Sequence, residues 1–397
     1  QALVTTDNAV LVTGVVAGKL VSHGFASLED QTPAEIAEAL RAVDATGRPY
    51  KPEWFTKPGA RLGKSDTYSS RLAELPLPFL KKAAAAVDQA ASGYDRQVTL
   101  SAAASSHFSG RVLLLSSDGL DLGYRFDGFR LSSRVEVQGP DGKSHTASDT
   151  KEFHKNLDAL DEKGFGEKVA AQALEKLGSR PVVSGTYAAV LAPAVAAALL
   201  VAATAHLSGT RIKKHLSVYE GKLGQDVFSP LLTVLNDPFI ASGQATPFDS
   251  EGTPTEKFMA IDHGRLRCFF LDNEYGAELG QKSNGCYGGS ECRAQYLVVT
   301  PSDTPASRLA SDLGEGLIVT EIRGLETGLD RATLEFTLPF FGFMVADGHK
   351  AGPVAGTIAG KADELLLGIT GVSREREDRS GCLCPWFAVQ SLKASGN

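Results

Sequence analysis

Gly110-Arg111-Val112-Leu113-Leu114-Leu115-Ser116 and Leu120-Asp121-Leu122-Gly123-Tyr124-Arg125-Phe126-Asp127 flank the pair Asp118-Gly119. Both runs are apolar or alternating, and an Asp-Gly pair supplies the positive φ that a tight hairpin turn demands. Gln97–Ala103 before them and Leu131–Gln138 after them have the same character, and Asp141-Gly142 offers a further turn. Successive strands joined by tight turns read as an antiparallel meander.

Helical patterns bracket the meander. Leu80–Ala91 is alanine-rich and ends at Gly93, and Glu152–Leu177 has helical spacing with Gly178 as its stop. Residues 1–30 alternate short apolar runs with glycines and read as strands. Thr32-Pro33-Ala34-Glu35 then places an N-cap, a first-turn proline and an acid at the third position. Residues 46–78 hold five prolines and little periodicity, as a surface excursion would. Pro181-Val182-Val183 reads as a short strand leading into the alanine-rich Val190–Leu207. From Asp226 the chain is mostly β. Asp262-His263-Gly264 forms a hairpin signature between Phe258–Ile261 and Leu266–Leu271. Strands follow at Leu297–Thr300, Leu317–Ile322, Thr333–Leu338 and Phe341–Val345, then a helix at Thr357–Leu367 and a last strand at Trp386–Leu392. The fold class is α+β. An N-terminal α/β domain with antiparallel strands spans 1–180, and a mostly β C-terminal domain spans 181–397, with the boundary near 178–186.

With 397 residues, 43% of them hydrophobic and 22% charged, the chain has ample core material. A net charge of −7 without a Lys/Arg cluster gives no electrostatic reason to hold nucleic acid or anionic lipid. Val190–Leu207 is rich in alanine and interrupted by Pro193, so it reads as a buried or interfacial helix and not as a membrane span. The five cysteines, Cys268, Cys286, Cys292, Cys382 and Cys384, are too sparse for a disulfide framework, and a cytoplasmic location is expected. The chain begins at Gln1 without Met, so its true start is expected to have been removed, and no basic-then-apolar leader remains.

Catalytic signatures are missing from the sequence. There is no phosphate loop of Walker type, no strand–GxGxxG–helix and no Gly-x-Ser-x-Gly elbow. The eight histidines (His23, His107, His145, His154, His206, His215, His263 and His349) never fall at the spacing that puts two on one helix face beside a glutamate, and each reads as a surface or helix-end residue. Cys382-Leu383-Cys384 and Cys286…Cys292 could offer four thiolates if folded together, but CxC and Cx5C match zinc knuckles poorly, and unpaired thiols are expected. Asp249, Glu251 and Glu256 sit around Gly252 and Pro254, in what reads as a surface loop. Arg374-Glu375-Arg376-Glu377-Asp378-Arg379 reads as a solvated turn of weak ion pairs, with an interface as the alternative.

A series of motifs runs through the second half: Lys222-Leu223-Gly224-Gln225-Asp226-Val227-Phe228, Leu235-Asn236-Asp237-Pro238, Pro247-Phe248-Asp249-Ser250-Glu251-Gly252-Thr253-Pro254-Thr255, Ala277-Glu278-Leu279-Gly280, Ser283-Asn284-Gly285 and Gly316-Leu317-Ile318-Val319-Thr320-Glu321-Ile322. Taken in this order over residues 180–397, the series resembles the TldD/PmbA family, and within it the PmbA branch, also called TldE. The first half agrees in general layout only, and its start looks shortened. Three departures mark a divergent member, expected in a dedicated peptide-processing pathway: the longer stretch Cys286–Cys292, the partial match at Arg323–Gly328 and the unusually apolar Phe336–Phe343.

The resemblance implies two chains pairing around an enclosed cavity. In the TldD branch, a helix bearing HExxxH and a later cysteine hold the metal that hydrolyses peptides. The matching stretch here, Ala194–His206, has no His-Glu pair, and Cys382 and Cys384 fall near the position of the cysteine ligand. The expectation is therefore a metal-free subunit with no catalytic or metal-binding residues and no cofactor of its own. Zinc would belong to a TldD-type partner in a heterodimer, and the ligand would be a peptide. Asn284, Gly285, Ser302, Asp303, Thr320 and Arg323 are the expected substrate-binding residues. A homodimeric peptide-binding scaffold and an enzyme using its cysteines are the other readings.

Overall fold

Thr32 and Glu35 form a capping box: the Glu35 N–H donates to the Thr32 hydroxyl at 3.3 Å, and Glu35 Oε2 accepts from the Thr32 N–H at 2.7 Å. The helix they open, α1 (Pro33–Ala42), belongs to the first of two compact units, Gln1–Phe55 and Thr56–Asn397. The computed structural model describes residues 9–29, 31–43, 48, 49, 51, 56–59, 61–63, 68–240, 243–379 and 381–396. In the first unit, β1 (Val10–Val16) and β2 (Lys19–Phe25) pair antiparallel about Ala17-Gly18, and β3 (Arg48–Pro49) joins β2. Leu40 of α1 lies over Gly14 of β1, where a Cβ would stand 2.9 Å from its methyl carbon. Of the excursion expected over 46–78, residues 46–47, 50, 52–55, 60 and 64–67 lie outside the described residues.

The second unit begins with α2 (Ser70–Ala73) and α3 (Leu77–Ser92). The expected meander is present, but its four runs are two strands of 18 residues each, β4 (Val98–Leu115) and β5 (Asp121–Gln138). Their antiparallel register runs from Leu115↔Asp121 at the tip to Leu100↔Glu136. The small and polar residues of Ala104–Ser109 break the apolar pattern without breaking the backbone ladder, which needs no particular side chain. β6 (Ser144–Phe153) completes the sheet in the order β4-β5-β6 and takes the start of the segment read as helical from Glu152. Helix α4 (Glu162–Leu174) starts only after Asp161, whose carboxylate accepts from the Gly164 N–H at 2.9 Å. α3 and α4 bury Val87, Ala91, Val169 and Ala173 against Phe129, Leu131, Val135 and Val137. Gly166 lets the helices meet closely, because a Cβ there would stand 2.4 Å from the Val87 carbonyl oxygen.

The rest of the unit is an 11-stranded mixed sheet. Its strands are β7 (Arg180–Pro181), β8 (Gly185–Leu191), β9 (Val234–Asn236), β10 (Phe258–Asp262), β11 (Arg265–Leu266), β12 (Leu297–Val299), β13 (Gly316–Ile322), β14 (Glu335–Ala346), β15 (His349–Lys361), β16 (Ile369–Arg379) and β17 (Cys382–Ser395). β17 pairs with β8, β8 with β13, β13 with β14, β14 with β15, and β15 again with β17, so these five close a circuit. Side-chain alternation assigns the two faces. Ala189, Leu191, Leu317, Val319, Phe387 and Val389 join the main core with α5 (Pro193–Thr204), while Val190, Ile318 and Ala388 join a second cluster with Phe341, Phe343 and Leu309. β14 is buried on both faces from Phe340 to Phe343, which accounts for the apolar end of its run, whereas Thr337 and Pro339 before it are exposed. Thr357–Lys361, read as the start of a helix, ends strand β15, and only Ala362–Leu367 is helical. Among the described residues no helix is long and apolar enough to cross a membrane.

The boundary expected near 178–186 lies inside the second unit, between the three-stranded layer and the large sheet. Charged side chains tie these layers. Arg379 of β16 reaches both oxygens of Asp149 on β6, at 2.5 and 3.3 Å, and Glu377 at 2.6 Å; Lys168 of α4 approaches Asp149 at 3.4 Å and Glu377 at 3.6 Å. Lys176, 4% exposed, donates to Glu321 and to the Thr146 carbonyl. The run 374–379 is therefore part of a strand and not a turn; Arg374, Glu375, Arg376 and Asp378 are exposed as expected, while Glu377 and Arg379 meet the three-stranded layer of the same chain. Burial raises the Asp149 carboxyl, but the Arg379 hydrogen bonds and charge, with Lys168, outweigh it and hold the group below the usual carboxylate range. Arg379→Ala strips Asp149 of its bidentate partner and is expected to cost about 3 kcal/mol in urea unfolding, with Arg379→Lys recovering part of it. Because the folded pKa is depressed, the stabilisation is complete above the unfolded carboxylate value and is lost as pH falls through the folded one. The Arg379→Ala variant should show a shallower acid loss.

Candidate functional site

Helix α5 lies where the resemblance calls for HExxxH, and its packing decides what it can do. Pro193 occupies its first turn, and Val195, Ala196, Ala197, Leu199, Leu200 and Ala203 are buried, with only Ala194 exposed. A helix apolar all round belongs inside a protein, and α5 packs on β17, β16 and β13. Thr204, its most polar residue, turns its hydroxyl back to the Leu200 carbonyl at 2.9 Å.

His206 follows directly at the helix end, one of the two positions expected of it, but it is buried, with 1% of its surface exposed. Its Nε2 donates to the Arg331 carbonyl at 2.9 Å, and its Nδ1 accepts from the Val218 N–H at 3.2 Å. That pattern requires the neutral tautomer with its proton on Nε2. Burial depresses its pKa in the same sense. Both ring nitrogens are engaged, so the residue has none left for an ion or a substrate proton. His154 is likewise buried, with Nδ1 at 3.2 Å from the Asp127 carbonyl.

Cys382 and Cys384 lie two apart on β17 and both are fully buried. Burial pushes the Cys384 thiol well up, and its neighbour Cys382 adds to the effect. Cys286 and Cys292 are also raised, chiefly by burial, and Cys268 is pushed up to about 11 by the same cause. Thiols raised in this way are neither nucleophiles nor ready ligands at neutral pH. Among the described residues no three His, Cys, Asp or Glu side chains converge on a point that could hold an ion. The residues of α5 and β17 do not fit the zinc site that the family's catalytic branch builds from a helix and a later cysteine.

Asp249 is the buried acid the sequence placed in a surface loop. It is 5% exposed and sits in an Asx-type knot. One carboxylate oxygen accepts from the Glu251 and Thr253 N–H groups at 2.9 and 3.0 Å, and the other accepts from the Tyr287 N–H at 3.1 Å. Asp-x-x-Gly, with Gly252 at φ +80°, is the signal that could have revealed the knot. Burial is the largest influence on Asp249; the three N–H donors oppose it, the Asp272 charge assists it, and the carboxyl is pushed up to about 6.

The six expected substrate-binding residues are held by three separate sets of partners. Asn284 clamps the 269–271 segment, accepting from the Leu271 N–H at 2.8 Å and donating to the Phe269 carbonyl at 2.8 Å. Gly285, at φ +68°, passes so close to Pro254 that a Cβ would stand 2.4 Å from its carbonyl oxygen. Ser302 donates to the Val372 carbonyl and accepts from the Thr304 N–H at 3.0 Å, beside exposed Asp303. Thr320 donates to the Phe341 carbonyl at 3.3 Å, while Arg323, largely exposed, reaches Glu321 at 2.5 Å and the Thr146 carbonyl at 3.3 Å.

The chain is thus an α+β protein in which a closed strand circuit covers a buried alanine-rich helix. Two domain models match it: the PmbA/TldA metallopeptidase central domain over residues 70–177 and the C-terminal domain over 184–396. The chain belongs to the PmbA/TldD metallopeptidase family, and the match extends well into the half where the motif series did not reach. It is 25% identical over 402 residues to a metalloprotease PmbA homolog of Haemophilus influenzae, covering 99% of this chain and 87% of that one. Among solved structures it resembles a candidate modulator of DNA gyrase from Thermotoga maritima (TM-score 0.89, 22% identity, 98% of this chain and 89% of that one). It also resembles TldE from Thermococcus kodakarensis (TM-score 0.85, 19% identity, 98% and 90%).

A raised folded-state pKa means that Asp249 takes up a proton on folding. Its contribution to stability therefore grows as pH falls through about 6 towards the unfolded carboxylate value, and diminishes as pH rises. Thermal melts from pH 7.5 to 5 should carry this component, and Asp249→Asn should remove it while weakening the Tyr287 contact.

Proposed function

We propose that this chain is the non-catalytic, metal-free subunit of a TldD/TldE-type metallopeptidase complex that processes or degrades peptides. It supplies part of the enclosed substrate cavity, and the zinc resides in a TldD-type partner. The observation that carries this reading is the environment of α5: alanines stand where a catalytic subunit needs ligands, and His206, the one histidine at the helix end, spends both nitrogens on backbone groups. Family membership supplies the peptidase context. A chain with that architecture and no ion-holding cluster among its described residues is suited to shaping a chamber.

Asn284, Gly285, Ser302, Asp303, Thr320 and Arg323 remain the proposed cavity wall. Asp303 and Arg323 offer exposed charged side chains, while Asn284, Ser302 and Thr320 hold nearby backbone carbonyls, each in its own part of the fold. Five free thiols suit a reducing cytoplasm.

Mixing the chain with a TldD-type subunit and following cleavage of an unfolded peptide tests the proposal. The expected result is a heterodimer on size-exclusion chromatography and hydrolysis by the mixture only. Self-association with no cleavage in any mixture would instead favour a homodimeric peptide-binding scaffold.

A further inference from the structure

The tip half of the β4–β5 hairpin, residues 107–127, is built as a two-stranded arm with unlike faces. On one face large side chains lie over opposing glycines: Phe126 over Gly110 and Phe108 over Gly128, where a Cβ would come within 2.4 and 2.3 Å of the rings. Tyr124, on this face, packs edge-on against Phe248 at 5.2 Å. The other face carries Arg111 directly opposite Arg125, Leu113 opposite Gly123, and Leu115 opposite Asp121. Leu113 and Leu115 are 52% and 69% exposed, and both arginines are exposed.

Two like charges directly opposite on a sheet face repel and weaken the pairing. Neither guanidinium has a carboxylate at ion-pair distance among the described residues; Arg125 stands over the Tyr68 ring at 5.6 Å, and Asp121, two residues nearer the tip than Gly123, pairs with neither. The two arginines, Leu113, Asp121, Gly123 and Tyr124 line one shallow concavity of about 410 Å3. Beside it, β4 is the terminal strand of its sheet, and its outer edge pairs with no other strand among the described residues.

We propose that this face of the arm is a receptor for the terminal carboxylate of a peptide, gripped by Arg111 and Arg125. Planar guanidiniums bind a carboxylate through paired, charge-assisted hydrogen bonds, and an anion between them relieves their mutual repulsion. The adjoining edge of β4 offers main-chain donors and acceptors to an extended chain, and Leu113 and Leu115, at the two-residue repeat of a strand, offer contacts to its alternate side chains. The ligand class rests on the reading of this chain as a peptide-handling subunit. Binding to the chain alone nevertheless holds or fails whether or not a catalytic partner exists.

The test is calorimetric titration of the full chain with an apolar hexapeptide bearing a free C-terminus, with its C-terminal amide, and with an amide that carries an internal glutamate. The free acid should bind at least about tenfold more tightly than the plain amide, a ratio that matches one charge-assisted contact. Arg111→Gln should abolish the preference, and Arg111→Lys, which keeps the charge and loses the fork, should reduce it. Arg111→Lys preserves the surface repulsion and is expected to keep the wild-type melting temperature, and Arg111→Gln, which relieves it, should melt no lower. Equal binding of acid and amide, or no binding of the acid, overturns the proposal. An internal-glutamate amide that binds as tightly as the free acid overturns the terminal assignment, because the site would then read acidic side chains.

Discussion

Helix α5 has no polar face, so folding must cover it on every side, and much of the second unit is arranged to do so. β17, β16 and β13 pack against it, and the alternation of β8, β13 and β17 turns one set of side chains into its core and the other set away. Leu199 and Leu200 are fully buried there, each stabilising the fold by roughly 1.5–3 kcal/mol. The same burial governs the chemistry. A charged ion placed beside α5 would lose its hydration to alanine and leucine without gaining ligands, a cost of several kcal/mol. His206 is kept neutral, and the Cys384 thiol is kept protonated, by burial in the same apolar core.

Charge has been used elsewhere, at the contact between the three-stranded layer and the large sheet. Asp149, Lys168, Glu377 and Arg379 form a joint network, and Lys176 and Glu321 form a second bond beside Arg323. Such pairs demand accurate geometry because each partner has given up water, so they orient the two layers more than they stabilise them. The arm leaves the three-stranded layer at the far end of β4 and β5 and rests on the Phe248–Gly252 loop. The knot of Asp249 keeps that loop rigid beneath it.

Much of this was legible in the sequence. The capping box of α1, the hairpin turns at Asp118-Gly119 and Asp262-His263-Gly264, and the buried character of Val190–Leu207 depend on local chemistry that one sequence contains. What was hidden depends on partners distant in the chain. The four meander runs merge because ladder bonds continue through Ala104–Ser109, where Ser105, Ser106, His107 and Ser109 interrupt the apolar pattern. Arg374–Arg379 reads as a solvated turn until Asp149, 230 positions away from Arg379, appears beside it. His206 reads as a helix-end histidine, and nothing local shows that the Arg331 and Val218 backbone groups will claim its ring. Asp249 and its family motif were visible, but their burial was not, since Gly252 and Pro254 mark exposed and buried loops alike. Of the six expected cavity residues Asn284, Gly285 and Thr320 lie in the motif series, and motif order does not say whether a side chain grips a ligand or the backbone.

The central claim is that the α5–β17 junction is a closed apolar core in place of a metal centre. Equilibrium dialysis of the purified chain against micromolar zinc, followed by metal analysis, tests it most directly. The account predicts far less than one zinc per chain, unchanged by Cys382→Ser or His206→Gln. One tightly held zinc per chain, lost in either variant, would contradict it.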